Sequence, residues 1–344
     1  MMAEGQKSIP ELPPLPTRTV WYWVRLLLGI GLGGLVLWYV ARDIPLAEVR
    51  RTFTTIRPFY VLLSVILVVL TIVIRAVRWR LTFHPPGIIP AYLDVFWSLT
   101  FGQLLNLILP FRLGDVARLV RLERWTHVGA SRTLGTIVVE KTLDVAALGV
   151  SLLVVLPLLP AFMGGSPWLI AAATLLSLAG LYLLAYQGEW LIYLNQKIGR
   201  FLPSALAQRL HQWLVTGLGG LDALRYQKTN LRLIGLTGIL AVLAIFTPLV
   251  LFPAVHLSLG LGEAVLLHVL LTVGSVPPST PFKVGVFEGV TVFLLQQMGV
   301  TNDAAALTFA FLWHMALVVP QVVLGSLSST MHTTSHAPAH APGE

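Results

Sequence analysis

The chain has 344 residues, 56% of them hydrophobic and only 11% charged, with a mean hydropathy of +0.80. Soluble domains carry about 25% charged residues, so the composition argues against a soluble enzyme and for one polytopic membrane domain. Cysteine is absent, which excludes disulfides, thiolate catalysis and Cys-ligated zinc. The net charge of +8 comes mostly from arginines in short segments between apolar runs, a topology-setting pattern that excludes a nucleic-acid partner.

Residues 1–20, with ELPPLP, read as a polar, disordered tail. The apolar run 21–40 ends in WYVARD without a small-residue cleavage site, so it is an uncleaved span. Its Gly29, Gly31, Gly33 and Gly34 resemble a phosphate loop by letter alone and suit close helix packing. Residues 43–57 read as an interfacial helix. Further full spans are expected at 58–78, 133–156, 167–186, 231–253 and 304–327, each about the 20 residues needed to cross the hydrocarbon. Two stretches are interrupted: 92–110, ending ILPFRLGD, and 263–298, broken by VGSVPPSTPFKVG. The terminal 331–344 reads as a second disordered tail. Its His332, His336 and His340 recur every four residues, but the prolines around them argue against the helix a metal site would need.

Positive charge then sets the orientation. The loop 187–232 is basic and is placed inside, whereas 157–167 and 254–262 lack Lys and Arg and are placed outside. The basic segments 75–80 and 112–132 both fall inside only if 92–110 is re-entrant. The N-terminus is then cytoplasmic, and Arg42, Arg50, Arg51 and Arg57 are left outside, against the rule.

Pro110-Phe111-Arg112-Leu113-Gly114 and Pro281-Phe282-Lys283-Val284-Gly285 share the pattern P-F-basic-aliphatic-G, and 281 less 110 is 171. The same offset carries 58–78, 92–110 and 133–156 onto 231–253, the first half of 263–298, and 304–327. The expectation is an all-α membrane domain over 21–330, with about six full spans and two broken elements. Its inverted repeat halves would lie at about 58–160 and 229–330. Broken helices at matching positions point to a transporter's site. The breaks at Pro110, Gly114, Pro277, Pro278, Pro281 and Gly285 must line protein or a polar cavity, because unpaired backbone is too costly in lipid.

The residues beside the breaks carry the candidate chemistry. Arg112, Asp115, Arg118 and Arg121 share roughly one helix face, and arginine forks suit phosphate. Arg121 and Arg124 read as solvated loop residues, Arg112 as functional. Glu140, Lys141 and Asp144 lie inside an apolar run, where ionisable groups face a cavity or a partner. Lys141 is expected to pair with Asp144, and Glu140 to meet Arg112 or Arg118. Lys283 and Glu288 flank the second break. Gln103 and Asn106 are expected to satisfy local backbone, with Asn106 kept among the candidate substrate contacts. Asp94 and Glu263 read as helix-start caps, and His268 and His314 as packed or hydrogen-bonded residues rather than proton carriers. No metal site, cofactor or catalytic constellation stands out, and the absence of a Walker loop argues against ATP-driven transport by this chain alone.

Three motifs in order carry a family resemblance: N-x-x-LP-x-R-x-GD-x-x-R, then VVEKTLD, then P-F-K-x-GVFE. Together they resemble the lysylphosphatidylglycerol synthetase transmembrane region, or flippase-like domain family, across about 20–330. The matched positions are Pro110, Arg112, Gly114, Asp115, Arg118, Glu140, Lys141, Asp144, Gly285 and Glu288. Phe111, Asp115, Lys141 and the PFKVG turn depart from the usual glycine, glutamate, arginine and Gly-rich bend. No aminoacyl-transfer domain follows, so lysyl transfer to lipid is not expected.

The resemblance implies movement of an anionic or aminoacylated phospholipid headgroup across a bacterial inner membrane. Arg112 and Arg118 would hold phosphate, and Glu140, Asp144 and Glu288 would balance them or bind a cationic headgroup. The protein is accordingly expected not to be an enzyme. The alternatives are an intramembrane headgroup or sugar transferase and a non-catalytic partner of an envelope-biogenesis protein, with a homo-oligomer also open.

Overall fold

The computed structural model describes residues 31, 33–42, 44–83, 89–109, 113–155, 227–274 and 281–331. These are helical nearly throughout. A helical segment at 33–41 is followed by α1 (Leu46–Thr54), α2 (Pro58–Leu81), α3 (Tyr92–Ile108), α4 (Leu113–Thr126) and α5 (Ala130–Val155). Beyond residue 226 come α6 (Gln227–Leu251), α7 (Leu261–Gly274), α8 (Val286–Gln297) and α9 (Asp303–Thr330). Short 3₁₀ turns at Phe252–Val255 and Pro281–Lys283 follow α6 and precede α8.

Length separates these helices into two kinds. The stretches Pro58–Leu81, Lys228–Val255 and Asp303–Thr330 are long and apolar enough to cross a membrane. At 1.5 Å per residue the 24 residues of α2 extend about 36 Å, more than a hydrocarbon core of about 30 Å. By contrast α3, α4, α7 and α8, with 17, 14, 14 and 12 residues, reach only about 18–26 Å. Exposed Leu62, Ile66 and Leu70 on α2 and Leu231, Ile234 and Val242 on α6 give these spans the apolar flank that lipid requires. The expected spans at 21–40 (in large part) and 167–186, and both terminal tails, lie outside the described residues.

The short helices pair. Gly102 of α3 lies against Gly114 and Arg118 of α4, and Asn106 against Gly114, so the two run antiparallel as a hairpin. The approach is close enough that a Cβ on Gly114 would overlap the Gly102 carbonyl oxygen and come within 2.6 Å of the Asn106 side chain. Glycine is therefore required there by space, not by torsion. The segment 113–126, whose basic residues the sequence places inside, is the return arm of this hairpin. It is drawn in because Arg118 and Leu122 are buried against α3 and α5.

The order long–short–short–long occurs twice, as α2–α5 and α6–α9. Shifting the starts of α2, α3, α4 and α5 by 171 gives 229, 263, 284 and 301, within two residues of the starts at 227, 261, 286 and 303. The packing recurs as well. α2 packs on α6; α3 on α4 as α7 on α8; α4 on α5 as α8 on α9; and α2 on α9 as α6 on α5. α3 packs on α9, and α7 correspondingly on α5, so each short helix meets the final helix of the other set.

Two of the four apolar clusters among the described residues hold most of the buried aromatic side chains. One joins Phe252, Phe287, Phe309 and Trp313, with Phe252 and Phe309 stacked at 5.1 Å. The other joins Trp79, Phe83, Leu99 and Leu122 beneath the α3–α4 hairpin. Burying an aromatic side chain contributes about 1.5–3 kcal/mol. α9 starts at Asn302, whose Oδ1 accepts the Ala305 N–H at 2.9 Å. Glu263 does what its position suggested, accepting the Gly260 N–H at 2.9 Å at the start of α7.

Candidate functional site

The charged residues of the first half converge where α2, α4, α5 and α6 meet. Arg118 is the centre. Its Nη1 donates to Glu140 Oε2 at 2.9 Å, and its Nη2 lies 3.2 Å from Asp115 Oδ1. Lys141 Nζ lies 3.1 Å from Asp115 Oδ2 and 3.9 Å from Glu140 Oε1. Asn106 Nδ2 donates to Asp115 Oδ1 at 3.3 Å. Arg78 Nη2 donates to Asp144 Oδ1 at 2.6 Å, and its Nη1 to Thr237 Oγ1 at 3.2 Å, tying α2 to α5 and α6. Among the described residues the network has three cations (Arg78, Arg118, Lys141) and three anions (Asp115, Glu140, Asp144), an equal number of each sign.

Helix periodicity explains the convergence. Arg118 is one turn beyond Asp115 on α4, and Asp144 one turn beyond Glu140 on α5. Trp79 supports the arrangement from α2. The Arg118 guanidinium lies 4.6 Å from its ring centroid, and its indole N–H donates to Thr136 Oγ1 at 3.0 Å. A cation over an indole face is favourable, the more so when desolvated.

Exposure is graded across the site. Side-chain exposure falls from 37% at Lys141 and 33% at Asp144 to 18% at Asp115, 4% at Glu140 and 2% at Arg118. The arrangement therefore has an open, mixed-charge edge and a dry arginine–carboxylate pair behind it. Among the described residues the Arg118 Nε and the Asn106 Oδ1 are buried without a hydrogen-bond partner.

Several expectations need correction. Lys141 pairs with Asp115 and Glu140, not with Asp144, because buried Arg78 reaches Asp144 first. Arg78 and Trp79 join the site although the sequence marks 75–80 only as a basic, topology-setting segment and gives Trp79 no role; only the packing of α2 on α5 and α6 distinguishes them. Asn106 faces the Asp115 carboxylate across the hairpin instead of its own backbone. Arg121 is not a solvated loop residue. It caps the C-terminal end of α9 by donating to the Ser328 and Met331 carbonyls, and it stacks on Phe101 and Trp125, each at 4.4 Å. Arg124 is exposed, as expected.

Glu288 does not join the arginines. It starts α8, where its Oε2 accepts the Gly285 N–H at 2.7 Å and its Oε1 meets His314 Nδ1 at 2.6 Å. Lys283 lies at the turn before it, on the 3₁₀ segment begun by Pro281. Gly285 adopts a φ of +85° and packs against the Gly33 backbone so closely that a Cβ would overlap it, which fits the close-packing reading at Gly33, whereas Gly31 and Gly34 have no such neighbour among the described residues. Arg112, Pro110, Pro277 and Pro278 lie outside the described residues. A surface depression lined by Ile44, Glu48, Asn302 and Asp303 sits at the start of α9 and includes none of these groups.

Residues 26–325 match the family described as the lysylphosphatidylglycerol synthase TM region. The chain belongs to that family. As a member of the lysylphosphatidylglycerol synthase TM-region family, it is an all-helical membrane protein with a membrane-lipid-related function. No curated protein and no solved structure matches the chain.

Proposed function

We propose that this protein moves an anionic or aminoacylated phospholipid headgroup, or a related lipid-linked headgroup, across a bacterial inner membrane, with its N-terminus in the cytoplasm. The observation that carries this reading is the ionic network beside the α3–α4 hairpin, open at one edge and dry behind it. Charged groups are costly at membrane depth and mark substrate pathways or partner contacts. An aminoacylated headgroup offers the same two chemistries that the network already pairs, a phosphate and an ammonium, and an anionic one without an amine offers the phosphate. The phosphate would take the place of a carboxylate on Lys141 and then on Arg118, while an ammonium, where present, would rest on Asp144 or Asp115. Such an exchange keeps every charge partnered throughout, so no unpaired ion is left in the apolar interior. Arg112, next to the break, would extend the cationic path.

The recurrence of helix order and packing at a shift of 171 residues supports a second element of the proposal. The sets α2–α5 and α6–α9 would be inverted repeats that rock against each other about the site.

Reconstituted vesicles test this. A fluorescent anionic phospholipid is placed in one leaflet, and its loss to an impermeant quencher is followed. Transfer should depend on Arg112 and Glu140, falling in Arg112→Ala and Glu140→Gln variants whose folding is verified. Transfer that is unchanged in a folded Arg112→Ala protein refutes the role given to the cations. No transfer with any headgroup refutes the translocation reading, and a search for a modified lipid product would follow.

A further inference from the structure

The second half contains a buried acid–base pair near the position that the Arg118–Glu140 pair holds in the first. Shifted by 171, Arg118 falls at 289, one residue from Glu288, and Glu140 at 311, three residues before His314 on the same helix. α8 and α9 are thus joined by a carboxylate and an imidazole, both 3% exposed.

The hydrogen-bond directions fix how many protons this pair holds. His314 Nε2 lies 2.8 Å from the Phe282 carbonyl oxygen, which can only accept, so Nε2 carries a hydrogen. Glu288 Oε2 accepts the Gly285 N–H. The remaining contact, Nδ1 to Oε1 at 2.6 Å, requires one proton between the two atoms. Imidazolium with carboxylate and imidazole with carboxylic acid contain the same proton number, and either pair is neutral. Removing that proton sets a ring lone pair against a carboxylate and leaves a buried negative charge. The contact must then open.

Opening has a structural consequence. Phe282, whose carbonyl His314 holds, has a φ of +55°, Lys283 +60° and Gly285 +85°. Non-glycine residues avoid this region, so the turn persists only while its surroundings hold it. Its restraints from this pair are the His314 bond to Phe282 and the Glu288 bond to Gly285. The ring of Phe287 stacks on His314 at 4.4 Å and seals the apolar side.

We propose that Glu288 and His314 together bind one exchangeable proton that latches the broken element at 281–285, and that protons are thereby a co-substrate of the headgroup movement. The coupling rests on the translocation reading; the proton site does not. It departs from the sequence-based expectation that His314 is no proton carrier. Other charges lie on elements packed against α9: Glu48, Arg50 and Arg51 on α1; Arg75, Arg78 and Arg80 on α2; Asp94 on α3; Lys283 at the turn; and Lys228 and Arg232 on α6. Both ring nitrogens of His314 are already engaged, so these groups act on the pair only through their field.

Glu288→Gln provides the decisive variant. The carboxamide oxygen can still accept from Gly285, and its NH₂ can donate to Nδ1, reproducing the loaded geometry without a removable proton. In lipid nanodiscs, nitrogen NMR of the full-length protein, with the His314 signal identified by its loss in His314→Gln, should show Nε2 protonated throughout and a single pH-dependent change at Nδ1. That change should be absent in Glu288→Gln. In vesicles carrying an internal pH dye, wild-type headgroup transfer should respond to a pH gradient and move protons, whereas Glu288→Gln should lose both responses. A wild-type Nδ1 that does not titrate overturns the proton site. A Glu288→Gln protein with the wild-type gradient response overturns the coupling. Titration in a wild-type protein that moves no lipid supports the proton site and overturns translocation and coupling together.

Discussion

Removing the Glu140 carboxylate is the sharpest test of the ionic network. Glu140 and Arg118 are 4% and 2% exposed and 2.9 Å apart, so neither can be rehydrated without opening the helix contact. Deleting one partner of a buried pair typically costs about 3–5 kcal/mol, against less than about 1 kcal/mol for an exposed pair. In Glu140→Ala the network changes from three cations and three anions to a net excess of one cation. Arg118 keeps Asp115 at 3.2 Å, which places the expected loss at the lower end, about 3 kcal/mol. The double variant Arg118→Met/Glu140→Leu removes both charges and preserves volume. Asp115 then still has Lys141 at 3.1 Å and Asn106 at 3.3 Å. Replacing a whole buried pair by apolar residues is often neutral, so the double variant should be more stable than Glu140→Ala alone while failing to move headgroups. Unfolding free energies from detergent titration in mixed micelles measure the difference. A loss below about 1 kcal/mol in Glu140→Ala, the range of an exposed pair, or a double variant less stable than the single one, would refute the reasoning.

Three further outcomes are expected. Asp144→Ala should destabilise more than Arg78→Met, because the first leaves a 1%-exposed guanidinium unpaired and the second leaves a carboxylate 33% exposed that water reaches; the same titration compares them. Gly114→Val should cost at least the ~1–3 kcal/mol typical of overpacking, since its Cβ overlaps the Gly102 carbonyl, and protease susceptibility of the α3–α4 hairpin should rise. Asn302→Ala should cost about 1 kcal/mol through loss of the α9 cap, with headgroup transfer unchanged once folded.

Much of this protein is determined by local sequence. Hydropathy and length mark α2, α6 and α9, because the bilayer makes about 20 apolar residues a requirement that the chain states openly. The recurrent P-F-basic-aliphatic-G motif sets a shift that the helix starts keep within two residues, because a broken helix needs proline and glycine at defined places. Glu140 stands out for the same reason: an acid inside an apolar run demands a partner, and the helix face it shares with Asp144 is fixed by 3.6-residue periodicity.

Partner choice is decided elsewhere. Nothing near Asp144 in the sequence indicates that Arg78, 66 residues away, holds it instead of adjacent Lys141. Nothing near Arg121 shows that it closes the end of a helix some 200 residues later. The same holds for His314, whose two nitrogens bind atoms 26 and 32 residues upstream. Periodicity states which face of a helix carries charge, but an ion pair forms with whatever that face meets. Which helices meet is settled by the packing of the whole bundle, at close approaches such as Gly102 on Gly114, and only there do the membrane's charged residues find the partners that let them remain buried.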